Sequence, residues 1–297
     1  MIIFTQPVCY FFLIGTFEIL SLHDFDIQVL ITAAHCVKDI RPDELIVRCG
    51  EWDTQSEEEM KPYQEIQVQQ IRMHADFDNG NHHNNFAVLF VEKAFEIQDH
   101  ISPVCLPQPC AVYDHKNCVA NGWGKDKFGS DGKYSTILKE VTYPVVDSAT
   151  CQNQLRQTRL GPFFELDASF ICAGGIRGVD TCKGDGGSPL TCRMQGTNKW
   201  VQAGIVSWGI GCGEEGVPAV YANVAHVVCW IDYEVKKFFN TAKSRFGFLP
   251  FVDCDGEQPV KKSCDRFEEQ KLDENAIRAT IIEDIFAPEI KDYDYFE

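Results

Sequence analysis

No stretch of the 297-residue chain strings together the ~20 apolar residues that a bilayer-spanning helix needs, which argues against a membrane span. Basic residues are scarce as well: 27 Lys and Arg face 44 Asp and Glu, for a formal net charge of −17. That deficit excludes nucleic acid and anionic membrane as main partners, since both would repel the chain, and favours basic proteins or cations. Zinc-ligand spacing is rare among the cysteines, so a zinc framework is disfavoured. No segment repeats. No Lys or Arg precedes the apolar run Val8-Cys9-Tyr10-Phe11-Phe12-Leu13-Ile14-Gly15, and no small-x-small pattern follows it. The run therefore carries only part of a signal peptide's marks, and a buried strand is the alternative.

What is present is an ordinary globular composition, 44% hydrophobic and 24% charged, in a chain long enough for one large or two modest domains. Fourteen cysteines point to a disulfide framework and an oxidising compartment, hence to secretion. Between about Val29 and Tyr221 short β-rich runs alternate with Gly, Pro, Asn and Asp turns. VLITAAH, ELIVRCG, FAVLFVE, KNCVANGWG, LKEVTYPVV and WVQAGIVSWG are the clearest. Such spacing predicts an all-β sandwich or barrel. Val227, Val228, Ile231, Val235 and Phe238 recur at helical spacing and predict one closing helix over 224–239. Residues 241–297 form an acid-rich tail with Cys254 and Cys264. Disorder is the plain reading of it, with an amphipathic helix over 265–285 as the alternative there. The tyrosines of the final KDYDYFE, flanked by acids, are candidates for sulfation in a secreted protein.

Three stretches carry chemistry: Thr32-Ala33-Ala34-His35-Cys36, Asn84-Asn85-Phe86-Ala87-Val88-Leu89, and Cys182-Lys183-Gly184-Asp185-Gly186-Gly187-Ser188-Pro189-Leu190. With GWG at 122–124 and SWG at 207–209, they closely resemble the trypsin-like serine proteases over residues 23–240. The resemblance implies an all-β fold of two packed antiparallel six-stranded β-barrels with a C-terminal helix, the first barrel incomplete here. Residues 1–22 match nothing in that frame and 241–297 stand outside it. Neither the family's first strands, nor an I-V-G-G cleavage site, nor a clip module can be found, so the chain's start is read as truncated and mis-joined, with a damaged first barrel as the alternative.

The family's mechanism needs a serine nucleophile, a histidine base and an aspartate that orients the histidine. The resemblance places His35 at the base, Asn85 at the aspartate and Gly186 at the serine. An amide at the second position favours the wrong tautomer, at a cost of ~10⁴ in rate. A glycine at the third removes the nucleophile, on the order of 10⁶. Ser188 stands two residues on, its Cα displaced by up to roughly 7 Å. A turn moved to rescue it would dismantle the oxyanion hole built from the same backbone. GDGGSPL, CGEWDTQ, GWGKDKFG and TRLGPFFELDASFICAGG are in turn similar to the arthropod clip-domain serine protease homologs of the prophenoloxidase-activating factor and masquerade type. That implies a secreted, non-catalytic cofactor of the cascade that activates prophenoloxidase for melanisation, with prophenoloxidase and its activating protease as partners. An active protease with an unusual nucleophile, and a nonfunctional product, are the rival readings.

The resemblance further implies a specificity pocket at Asp180, Ser207, Gly209 and Ala219, where Ala219 adds a methyl to a wall that is glycine in the family. It implies disulfides Cys118–Cys192, Cys151–Cys172 and Cys182–Cys212, and a tether from Cys105 to an upstream module. Cys9, Cys36 and Cys49 stay unassigned. A Cys110–Cys229 bond is expected, because Cys229 lies one helical turn beyond the position that usually pairs there. No cofactor is required, but Glu51 with Glu58 in the following acidic run could hold Ca²⁺. His82 and His83 are expected to be exposed polar residues.

Overall fold

In a computed structural model, residues 12–14, 27–56, 61–194 and 199–243 are described. The acidic tail beyond 243, with its expected helix and its tyrosines, lies outside them, as does Glu58. The elements in chain order are β1 (Phe12–Ile14), β2 (Ile27–Thr32), β3 (Ile46–Cys49), β4 (Gln64–Met73) and β5 (Ala87–Phe95). They continue with β6 (Asn117–Gly122), β7 (Lys139–Val146), α1 (Ser148–Arg156), β8 (Phe170–Gly174), β9 (Pro189–Arg193), β10 (Trp200–Trp208), β11 (Pro218–Asn223) and α2 (Val224–Lys243).

All strand pairs are antiparallel and form two sheets. The first has the order β1-β2-β5-β4-β3 and stays open among the described residues; the second closes as β10-β11-β8-β7-β6-β9. This is the expected two-barrel frame with its first barrel incomplete. Phe12–Ile14 of the N-terminal apolar run pairs with Val29–Ile31 as a strand.

Sequence pattern explains the strands' places. β6 alternates exposed or half-buried with buried positions because only one of its faces meets the core. The first five residues of β5 are buried without alternation, and it lies between β2 and β4. β4, polar over most of its length in QEIQVQQIRM, buries only Ile66 and Val68 and is easily missed from sequence. α1 starts at Asp147, whose carboxylate accepts the Thr150 N–H at 2.9 Å and so satisfies one orphan donor of the first turn. α2 seats Val227, Val228, Ile231 and Val235 in the same cluster as Leu30, Phe90 and Ile205, tying the two sheets together. Each such side chain contributes about 1.5–3 kcal/mol of hydrophobic stabilisation.

Disulfides join Cys118 to Cys192 across β6–β9, Cys151 to Cys172 between α1 and β8, and Cys182 to Cys212 beside the glycine-rich turn. Cys36 and Cys229 are also disulfide-bonded. The expected Cys110–Cys229 bond is not formed: Cys110 is exposed with a thiol. Its backbone N–H binds the Ala225 carbonyl at 3.2 Å, which fixes the loop at the first turn of α2. Cys229 lies ~6 Å further up the helix. Cys49 is a buried thiol, and burial pushes its pKa up to about 12.

Candidate functional site

The site forms where the first sheet meets the closed barrel. A short helical turn, Ala34–Cys36, follows β2 and presents His35, while Asn85 stands just ahead of β5. Asn85 is fully buried, and its orientation is determined by three contacts. Its Oδ1 accepts the backbone N–H of His35 at 2.9 Å, so Nδ2 must face the imidazole and the hydroxyl of Ser207. Nδ2 lies 2.7 Å from His35 Nδ1 and 2.8 Å from Ser207 Oγ. An amide nitrogen only donates, so Nδ1 is the acceptor and the ring proton sits on Nε2. A base that already carries its proton on the reactive nitrogen cannot take another from a nucleophile.

Gly186 faces that nitrogen. A Cβ built on it would lie 3.0 Å from His35 Nε2 and 3.7 Å from Cys36 Sγ, so the ring stands close against a position with no side chain. Ser188 is fully buried behind the turn, with its N–H on the Asp185 carbonyl at 3.0 Å and its carbonyl on the Val206 N–H at 2.7 Å.

His82 corrects an expectation from the sequence. It is 3% exposed, not a surface residue, and stacks on His35 with centroids 5.0 Å apart and planes 10° from parallel. Asn81 and Asn84 build the tight turn around it, and His82 itself takes φ 59°. Its neighbour His83 is half-buried against Asp167 and Phe170. Burial lowers the His35 pKa to about 4; burial and then the neighbouring His35 lower that of His82 to about 3. Both rings are neutral at physiological pH. Only the HHNN run hinted at this cover, and nothing in it said which histidine would turn inward.

Asp185 is held by backbone, with no cation paired to it among the described residues. Its carboxylate accepts the N–H of Gly124 at 2.8 Å and of Cys182 at 2.9 Å, while burial pushes its pKa up to about 6. The glycines of GWG make room for it: a Cβ on Gly122 would fall 1.8 Å from Oδ1, and one on Gly124 2.4 Å from Oδ2. Gly124→Ala is therefore expected to cost about 3 kcal/mol by overpacking. A urea midpoint within error of the parent protein would contradict this.

The four pocket positions fall together around β8, β10 and β11. Asp180 Oδ2 accepts the Gly213 N–H at 2.9 Å, while Oδ1 is buried without a hydrogen bond, near Gly174. Burial pushes the Asp180 pKa up to about 7. Ala219 is 3% exposed and pairs with Ala173, and Ser207 and Gly209 lie buried along β10 and its end. Below them the hydroxyls of Tyr143 and Tyr221 meet, with Thr181 Oγ1 3.2 Å from Tyr221. Trp208 is covered by Phe164 and Phe170, with ring centroids 6.1 and 5.8 Å away. Glu51 is buried, and its carboxylate accepts from the Arg48 guanidinium at 2.8 Å, while Glu58, the other residue of the calcium expectation, lies outside the described residues.

The profile of the family described as Trypsin matches residues 21–231. Phenoloxidase-activating factor 2 of Galleria mellonella is 50% identical over 210 residues, covering 70% of this chain and 69% of the relative. Two inactive CLIP domain-containing serine proteases of Anopheles gambiae are 41% and 38% identical, each over 70% of this chain. The chain spans 54% and 56% of those two proteins' lengths. Protein masquerade of Drosophila melanogaster is 33% identical over 208 residues, 69% of this chain and 19% of that protein. No helix among the described residues is long and apolar enough to cross a membrane.

Proposed function

We propose that this chain, which belongs to the trypsin family, is a secreted, non-catalytic serine protease homologue. In this reading it acts as a cofactor or regulator in an arthropod immune protease cascade, that of prophenoloxidase activation and melanisation. Its partners are the activating protease and prophenoloxidase, and it binds them through its surface without cleaving them. No cofactor enters this reading. The observation that carries it is the facing pair of Gly186 and His35: the residue opposite Nε2 has no side chain, and the ring has closed to within 3.0 Å of where one would begin. Asn85 leaves the proton on Nε2, and His82 covers one face of the ring. Each of these three features alone would impair acyl transfer; together they leave no nucleophile, no free base and a covered ring.

The names of the relatives support the cascade role, since one is a phenoloxidase-activating factor and two are called inactive. The competing reading, a protease that uses Ser188, has against it a hydroxyl buried behind the turn. A fluorophosphonate probe on the intact protein is expected to leave Ser188 unlabelled, and labelling there would overturn the non-catalytic reading. Adding the protein to prophenoloxidase and a competent activating protease is expected to change the yield of phenoloxidase activity. An unchanged yield across a tenfold molar excess would remove the cascade assignment while leaving the lack of catalysis intact.

A further inference from the structure

Several cations of this acidic chain are paired where they stand: Arg41, Arg48, Lys61, Arg72 and Lys236 each form a salt bridge. Lys93, Lys139 and Arg177 are exposed without an ion pair among the described residues, but only one such group is gathered by the fold beside exposed aromatic rings. Lys127, Lys133 and Lys183 are exposed and have no ion pair among the described residues. Phe128 and Tyr134 lie beside them, 54% and 48% exposed. The backbone binds these residues into one hairpin at the lip of the glycine-rich turn. Lys125 bridges to Tyr134, the Lys125 N–H binds the Lys183 carbonyl at 2.9 Å, and the Asp126 N–H binds the Lys133 carbonyl at 3.1 Å. Gly129 turns the tip with φ 95°, and the Lys125 ammonium closes it on the Gly129 carbonyl at 3.0 Å. Tyr134 lies on Gly184, where a Cβ would come within 2.6 Å of its ring. The two local acids are exposed as well, Asp126 accepting the Lys133 N–H at 2.9 Å and Asp131 the Ser130 hydroxyl, and they stand against four lysines, 125, 127, 133 and 183.

We infer that this lysine and aromatic face is the docking site of the chain's own residues 283–297. That segment, EDIFAPEIKDYDYFE, sets six carboxylates against one lysine and carries Phe286, Tyr293, Tyr295 and Phe296 among them. It matches the patch in both of its chemistries, charge and exposed aromatic surface. α2 ends at Lys243, and the intervening chain extends on the order of 100 Å when stretched, so every face of the domain is within reach. Tethering raises the local concentration of the segment to roughly millimolar, enough for a weak charge-assisted contact to be populated. The chain's net charge of −17 disfavours an acidic segment over much of the surface, and the hairpin offers it clustered lysines beside exposed aromatic rings.

Docking of the segment does not depend on the missing nucleophile, and either reading can fail alone. The test uses the full chain, with a variant in which Glu283, Glu289 and Glu297 become Gln and Asp284, Asp292 and Asp294 become Asn. Lysine acetylation footprinting by mass spectrometry is expected to show Lys127, Lys133 and Lys183 at least threefold less reactive in the parent than in the variant, with Lys93 unchanged. A fluorescent 283–297 peptide is expected to bind the variant at least tenfold tighter than the parent. Adding Lys127→Glu, Lys133→Glu and Lys183→Glu to the variant should abolish that binding. Equal reactivity of the three lysines, a change shared by Lys93, or peptide binding indifferent to the lysine reversals would each overturn the assignment.

Discussion

Gly186→Ser alone is expected to leave the protein about 10⁴-fold less active toward a peptide ester than Gly186→Ser combined with Asn85→Asp. The backbone at Gly186 does not lie in the left-handed region, so a serine can be accommodated there without main-chain strain. The obstacle is the histidine. With Cβ 3.0 Å from Nε2, His35 must retreat by a few tenths of an ångström, while His82 stands against its other face. Even after that retreat, Asn85 keeps Nδ1 as acceptor and the proton on Nε2, so the new hydroxyl finds a donor where it needs a base. A carboxylate in place of the amide would keep the acceptor for the His35 N–H, accept from Nδ1–H and from Ser207, and reverse the tautomer. The measurement is kcat/KM for both variants, with active-site titration to count competent sites. Equal activity of the single and double variants would show that the amide does not control the imidazole.

The second large effect concerns stability. Asp180→Asn is expected to stabilise the protein above pH 7 by on the order of 2–4 kcal/mol, and to have no such effect below pH 4. In the folded chain this carboxyl titrates near 7, because burial disfavours its charged form and only Oδ2 has a hydrogen bond. In the unfolded chain it titrates near 4, as an ordinary aspartate does. Between those values the folded state holds a proton that the unfolded state has lost, so stability falls as pH rises through the window. Above 7 the full cost is present; asparagine, which never ionises, avoids it. The buried histidines titrate in both proteins and cancel in the difference. Thermal melts at pH 8 should separate the two by about 5–10 °C, and melts that differ equally at pH 4 and pH 8 would show that the charge of Asp180 is not the cause.

Much of this was legible in the residues themselves. Continuous apolar runs with turn punctuation mark β5 and β10, which are buried on both faces; alternation marks β6, and the apolar spacing of 227, 228, 231 and 235 marks α2, because these bury one face against the core. β4 was not legible, since its glutamines fill a strand of which few side chains meet the core. The Cys110–Cys229 expectation failed for a different reason. Helical spacing places Cys229 on the right face, but a hydrogen bond from Cys110 to Ala225 decides how far up that face the loop reaches.

By itself the sequence determined which atoms are present: a glycine after Asp185, an amide at 85, an imidazole at 35, and a net charge of −17. Only the tertiary structure decided what those atoms can do. A side chain's chemistry depends on which neighbours it meets, and those neighbours come from fifty or more residues away. The His35 N–H turns the Asn85 amide and thereby places the imidazole proton. The tight turn at 81–84 folds His82 over the ring, and the cradle of Gly122 and Gly124 leaves Asp185 to the backbone. Long-range packing converts a list of residues into a site with a defined proton position and a covered imidazole.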